Sequence, residues 1–446
     1  MNENIRLNDK RIAILTLGCK VNAYESDAMA ELLSKSGAEI VDFEEDADVY
    51  IVNTCSVTNI ADRKSRQMLN RPGKRNENAV VIAAGCYIQT LSEDERKALG
   101  YDAYIGNNSK EDVVRIVYDA LMGKHPDVVL DLSRKTEYED LQINGTREHT
   151  RAYIKIQDGC DQFCSYCIIP YTRGRIRSRA PEDVVNEAKR LSLGGYSEVV
   201  LTGIHVSSYE AHGEKGGNAL LGLLSELQKV EGLIRIRLGS LEPRVVTEDF
   251  VKGISLLDKV CPQFHLSLQS GSDTVLKRMN RKYTAAEYEE GCRILRKYYD
   301  RPSITTDIIV GFPGETDEEF EETMRFAERI SFSKIHVFQF SGRKGTRAYR
   351  MPDQIPESIK HERSERLIRL EKKMREEYAR GFLGEEQNVL TEEAETIEDG
   401  KYLVGYNERY IRCAVPEDRG HVNSVITGTA KEMKDEVLIL ASGQEG

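Results

Sequence analysis

The stretch AYIKIQDGCDQFCSYC, residues 152–167, decides how the rest of the chain is read. Its first half is a short apolar run of the kind that forms a strand. Its second half places Cys160, Cys164 and Cys167 in a C-x3-C-x2-C array directly after that strand. Thiolates are preferred ligands of iron–sulfur clusters, and a short loop lets several converge on one cluster. Three protein thiolates leave one iron of a cubane cluster open to a small molecule. Gly, Asp, Gln and Ser interleave the cysteines, which argues against a space-filling core role. A structural zinc would want a fourth local ligand, yet neither Cys nor His lies between Cys167 and His205.

Downstream, five more strand-like runs follow: SEVVLTGIHV, IRIRLGSLEP, QFHLSLQSG, SITTDIIVGFPGE and KIHVFQFS. Helical patterns such as PEDVVNEAKRLSLGG and TDEEFEETMRFAERI separate them. Six βα units suit a partial (β/α)6 barrel, open on one side, with its chemistry at the strand C-termini. The cysteine array follows the first of these strands, where that rule expects it.

Upstream, RIAILTLGC, DVYIVNTC and AVVIAAGC are β-branched-rich runs that end at Cys19, Cys55 and Cys86, and helical segments follow each. Buried strands alternating with helices imply a doubly wound parallel sheet, whose strand C-termini share one edge. Any one of these cysteines reads well as a small buried hydrophobe. Three at three strand ends point to a second three-thiolate cluster site.

The expected organisation is therefore an α/β multidomain chain. Residues 9–122 form the first domain, 123–145 a polar linker, 146–375 the central barrel and 376–442 a small all-β barrel. The last assignment rests on short Val- and Thr-rich runs such as KYLVGY and SVITGTA. Before it, SIKHERSERLIRLEKKMREEYAR spaces Leu367, Leu370 and Met374 as a helical packing stripe.

Of the 446 residues 40% are hydrophobic and 31% charged, as in a soluble globular protein, and no apolar run is long enough to span a bilayer. Nine cysteines behind an N-terminus without an apolar leader point to reduced thiols in the cytoplasm. A net charge of −11 is a poor global footprint for a nucleic-acid binder, so local patches must carry that function. Two stretches qualify. RKSRQMLNRPGKR, Arg63 to Arg75, has six positive residues, and TRGRIRSR, Thr172 to Arg179, has four arginines, with no acid in either. Both adjoin cluster cysteines, so an anionic backbone near the site is the economical expectation.

Further candidates come from position. Ser240, Glu242 and Gln269 lie at strand C-termini within reach of a cofactor. Gly311 and Gly314 of GFPGE follow a strand and open a helix, where backbone could approach an adenine or ribose; a tight structural turn explains them equally. His205, His265, His336 and His421 read as structural, and Cys261, Cys292 and Cys413 as packing thiols.

GCDQFCSYC after a first barrel strand resembles the signature of the radical S-adenosylmethionine (SAM) enzymes. The resemblance implies a 4Fe-4S cluster on Cys160, Cys164 and Cys167, SAM on its open iron, and Tyr166 near the adenine. LGCKVNAYES, NTCSVTNIADRKSRQ, AAGCY, GCDQFCSYCIIPYTRGRIRSR, HLSLQSGSDTVLKRMNRKYT and TDIIVGFPGET extend the likeness over nearly the whole chain to the methylthiotransferases. That family carries a second 4Fe-4S cluster, here implied on Cys19, Cys55 and Cys86, and the last domain resembles its OB-like TRAM module. LGCKVN and CSVTNIADRKSRQ look most like the branch acting on N6-threonylcarbamoyladenosine beside the tRNA anticodon. The implied product is the 2-methylthio nucleoside, and the implied partners are tRNA, a flavodoxin- or ferredoxin-type electron donor and a sulfur donor. Lys20, next to Cys19, is a candidate partner for the threonylcarbamoyl carboxylate. Competing readings are methylthiolation of isopentenyladenosine or of a ribosomal protein side chain, and a non-catalytic iron–sulfur sensor that binds RNA.

Overall fold

The computed structural model describes residues 5–134, 137–146, 150–398 and 400–441. Lys135 and Thr136 of the expected linker, residues 147–149 at the start of the expected barrel, Asp399 and residue 442 lie outside them.

The first domain is a six-stranded parallel sheet in the order Glu39–Val41, Arg11–Thr16, Val49–Thr54, Val80–Gly85, Ala103–Ile105, Asp127–Val128. Every residue of the central strand Val49–Thr54 is buried, as a strand covered on both faces requires. Its side chains alternate: Val49 and Ile51 enter one core with Ile12 and Ile82, while Tyr50 and Val52 enter another with Ala13 and Ala83. The three cysteine-ending strands are neighbours in register, Thr16 beside Asn53 and Thr54 beside Gly85.

The stretch expected to be a linker is packed, not free. Asp127–Val128 supplies the sixth strand, and Leu132, Leu141 and Ile143 are buried. Tyr24 donates its hydroxyl to the Leu141 carbonyl at 2.6 Å, so the segment is stitched to the first domain's leading helix. Polar residues between the apolar ones hide this from a periodicity search.

Six parallel strands then build the partial barrel: Ala152–Asp158, Glu198–Gly203, Arg235–Leu238, Gln263–His265, Ser303–Val310 and Lys334–Gln339. Parallel bridges Ile236–Val260 and Leu241–Leu266 join its two halves. The first and last strands are not paired with each other, which leaves the barrel open on that side. Helix Lys20–Lys35 packs beside the first strand and the long helix Glu357–Arg380 beside the last. Leu367 and Met374 are buried against the barrel and Leu370 is partly so, which makes the expected stripe a packing surface.

That helix runs unbroken past the expected boundary at 375/376, and the first strand of the closing domain starts at Glu386. Five strands close into a barrel in the order Glu386–Ile397, Gly400–Tyr406, Arg412–Pro416, Val437–Ala441, Val425–Lys434. It docks on the N-terminal ends of the central strands. There Arg237 donates to the Asn407 carbonyl at 2.7 Å, Arg235 pairs with Glu408 at 2.8 Å, and both meet the buried Glu198.

Candidate active site

Cys19, Cys55 and Cys86 emerge from three adjacent strand ends, so the sheet itself brings them together. Cys19 caps helix Lys20–Lys35, and Cys86 opens a short helix straight off its strand. Gly18 is held at φ +103°, and a Cβ there would lie 2.7 Å from both Cβ and Sγ of Cys55, so only glycine permits this approach. Asn22 secures the edge by donating to the Leu17 and Thr54 carbonyls at 2.7 and 3.0 Å. Asn107 donates to Cys86 Sγ at 3.5 Å.

The second triad is local. Gly159 stands at φ +73° with the Arg175 carbonyl only 1.9 Å from where a Cβ would be. The loop is pinned by Asn280, which donates to the Phe163 carbonyl at 2.8 Å, and by Ser165, which donates to the Arg278 carbonyl at 2.9 Å. Arg281 points its guanidinium at Cys164 Sγ, 3.2 Å away. Burial lifts the Cys160 thiol to about 11 and the Cys167 thiol to about 12. In the first triad burial likewise lifts Cys55 to about 11, with Cys86 and Cys19 adding repulsion. Cys19, which lines a cavity, is raised too by the protein around it, and Arg173 opposes the rise.

Both donor sets fit a thiolate-bound cluster. Each gathers three sulfurs, and each has an N–H donor aimed at one sulfur. A metal ion binding there displaces the thiol protons.

Between the first triad and the closing barrel runs a cavity of about 770 Å³. Cys19, Lys20, Ser240, His265, Asp307 and His336 line it. Lys20 has no carboxylate partner among the described residues and rests over the Tyr153 ring, 5.7 Å from its centre. His265 and His336, expected to be structural, instead face this cavity, because strand alternation turns them to the barrel interior.

The two basic stretches part company. Arg63, Lys64 and Lys74 are exposed, as expected, while Arg71 and Arg75 pair with Glu44. In TRGRIRSR only Arg175 is exposed, and the other three arginines are buried, which corrects the expectation of a surface patch. Arg173 pairs with Glu25 at 2.8 Å and Asp158 at 3.2 Å, and Arg179 pairs with Glu187 at 3.0 Å. Lys110 and Lys155 also reach Glu25, at 3.0 and 2.8 Å. Burial works against the Glu25 carboxylate, but Arg173, Lys110 and Lys155 outweigh it and hold the group well below its usual range. Glu25 comes from 148 residues away, while Asp158 and Glu187 lie 15 and 8 residues from their arginines yet outside the basic run itself, so the run alone does not show its counter-charges.

The remaining candidates take their places around the second triad. Tyr166 meets Phe312 of the GFPGE turn edge-on at 6.4 Å. Gly311 spends its N–H on Glu315 at 2.7 Å, and Gly314 donates to the Asp353 carbonyl at 2.9 Å, so this turn is internally satisfied. Glu242 accepts from Arg244 at 2.6 Å and meets His205 at 3.3 Å and Gln162 at 3.4 Å. Burial would raise its pKa, but His205 and Arg244 bring it down to about 2. Gln269 is set by backbone bonds to Asp307 and Ile309. Cys261, Cys292 and Cys413 are buried. Arg281 and Asn107 were not anticipated, because each reaches its sulfur from another part of the chain. Arg173 was singled out only as part of a basic run, and its pairing with Glu25 was not.

The geometry can now be set beside known proteins. The profile of the Radical SAM superfamily matches residues 154–327, and that of Uncharacterized protein family UPF0004 matches residues 11–106. The threonylcarbamoyladenosine tRNA methylthiotransferase MtaB of Bacillus subtilis (strain 168) is 42% identical over 418 residues, 93% of this chain and 92% of that one. This chain belongs to the methylthiotransferase family. The MtaB protein of Thermotoga maritima is 41% identical over 96% of both chains. A tRNA-2-methylthio-N(6)-dimethylallyladenosine synthase of Moorella thermoacetica is 38% identical over 86% of this chain and 87% of that one. Among solved structures, the radical SAM methyltransferase TsrM of Kitasatospora setae shares the fold with a TM-score of 0.56 at 13% identity, covering 74% of this chain and 72% of that one. That likeness is one of fold alone.

Proposed function

We propose that this chain is a cytoplasmic enzyme that converts N6-threonylcarbamoyladenosine beside the tRNA anticodon to its 2-methylthio derivative. Cys160, Cys164 and Cys167 would hold one 4Fe-4S cluster and Cys19, Cys55 and Cys86 another. Reduced by a flavodoxin- or ferredoxin-type donor, the bound cofactors supply a 5′-deoxyadenosyl radical able to take hydrogen from an sp2 carbon, together with a methylated sulfur that derives from a sulfur donor.

The protein's own part is placement. Arg281 sets the Cys164 sulfur and lowers the electron density on it. Tyr166 and the GFPGE turn wall the space beside that loop, where SAM would lie. Cys55 and Cys86 are buried and the second triad is partly so, which limits the water that could quench a carbon radical. The closing barrel, read as a TRAM module, and the exposed Arg63, Lys64 and Lys74 supply surfaces for the tRNA backbone.

The observation that carries the substrate choice is the cationic wall beside Cys19. Lys20 and Lys334 line that cavity with no ion pair among the described residues. A threonylcarbamoyl carboxylate satisfies such a wall, whereas an isopentenyl group would leave it unpaired. The test is nucleoside mass spectrometry of tRNA from a deletion strain and its complement. Loss of the methylthio nucleoside with accumulation of threonylcarbamoyladenosine is expected, and an unchanged level sinks the assignment. Methylthio loss confined to isopentenyladenosine would move it to the sister branch. Replacing Cys19, Cys55 and Cys86 with Ala should halve bound iron yet leave 5′-deoxyadenosine release intact.

A further inference from the structure

On the barrel's inner wall stands a group of side chains that neither thiol triad uses. Strands Gln263–His265, Ser303–Val310 and Lys334–Gln339 pair in parallel, with His265 beside Thr305 and Asp307 beside His336. Because side chains alternate along a strand, Thr305 and Asp307 share a face, and the pairing brings His265 and His336 onto it from either side. His265 Nε2 lies 3.3 Å from Asp307 Oδ2, and the two imidazole rings are 5.8 Å apart. One ligand atom from each of the three residues can be chosen so that all lie within 4.8 Å of one another.

Ligands held about 2.1 Å from a tetrahedral ion are about 3.4 Å apart, so a small side-chain rotation closes this set. Two imidazoles and one carboxylate suit divalent first-row cations, in contrast to the sulfur triads. The second shell is present as well. His265 Nδ1 sits 3.0 Å from the Thr305 hydroxyl, a contact that lets Nδ1 carry the proton and frees Nε2 to bind. Asp307 has no Lys or Arg partner among the described residues, so its charge is met only by imidazoles. All three residues line the cavity, which gives an ion an entry path and leaves positions for water or another oxygen ligand. The plainer alternative is a hydrogen-bonded His265–Asp307 pair with His336 as a bystander.

We propose that His265, Asp307 and His336 bind one divalent first-row cation in the barrel interior. The site stands independently of the methylthio-transfer reading.

The test uses the full chain with its clusters reconstituted, oxidised and therefore silent in electron paramagnetic resonance. After chelator washing it is titrated with MnCl2, and free Mn2+ is read from its six-line spectrum. One Mn2+ per chain is expected, displaced by Zn2+. His336→Asn and Asp307→Asn should each weaken binding at least about tenfold, with iron content and circular dichroism as wild type. His336→Gln serves if Asp307→Asn does not fold. The chain with Cys19, Cys55 and Cys86 replaced by Ala should bind Mn2+ as wild type does. No Mn2+ bound by the wild type, equal binding by the His336 variants, or loss on removing the thiols instead would each overturn the proposal.

Discussion

Arg63, Lys64 and Lys74 stand on the outside of the first domain, whereas Arg173 and Arg179 are enclosed where that domain meets the barrel. Both stretches are short, strongly basic, free of acids and close in sequence to a cysteine of one of the two triads. What separates them is the company that folding provides. Glu25 and Asp158 arrive from other segments to surround Arg173, while among the described residues nothing pairs with the exposed Lys64. A run of like charge therefore states a need for counter-charge and leaves open whether the protein or its substrate meets it.

The sharpest way to break this comparison is Arg173→Met. Removing one member of a buried network leaves Glu25 to Lys110 and Lys155, and Asp158 to Lys155 and Arg177, with less positive charge than the buried carboxylates need. A loss of about 3–5 kcal/mol is expected in thermal or denaturant unfolding. An unfolding midpoint like that of the wild type would show the network to be loosely solvated. Acid titration sharpens it next. Glu25 and Asp158 are both held below their ordinary values, so the stability they confer is present above about pH 4 and is lost as pH falls toward their folded-state values. Unfolding midpoints followed from pH 6 downward should fall more steeply for the wild type than for Glu25→Gln.

On the exposed side the effect moves from folding to binding. Replacing Arg63, Lys64 and Lys74 together with Ala should leave the unfolding midpoint in place and weaken tRNA binding. The slope of log affinity against log salt should drop by roughly one for each phosphate that is no longer neutralised. A steep slope that survives would move the RNA footprint elsewhere. The smallest change is expected from Arg175→Ala, the one exposed arginine of the second stretch. Its pair with Asp161 at 3.3 Å is solvent-screened, and the midpoint should not move measurably.

What could be seen in the sequence follows the same logic. The Cys160, Cys164 and Cys167 array was visible because its three thiols fall within eight consecutive positions. That Cys19, Cys55 and Cys86 come together was visible through a rule about sheets, since the ends of adjacent parallel strands share an edge. The groups that surround those sulfurs were not. Arg281 reaches Cys164 across 117 residues and Arg173 reaches Glu25 across 148, distances at which neither spacing nor periodicity carries information. His265 and His336 stayed hidden for a different reason. Each is a lone histidine in its own strand, and only the register of three strands sets them around Asp307. The packed segment after Leu121 was read as a tether because its few buried apolar residues keep no regular period.

The charge cluster around Glu25 has a mechanical consequence. Glu25 belongs to the domain that carries one sulfur triad, and Arg173, Lys155 and Asp158 belong to the body that carries the other. Sliding these two bodies apart would bare several ions at once, so the junction behaves as a weld and not as a hinge. The gap between the two thiol triads is then a fixed length, and whatever crosses it during turnover must do the travelling itself.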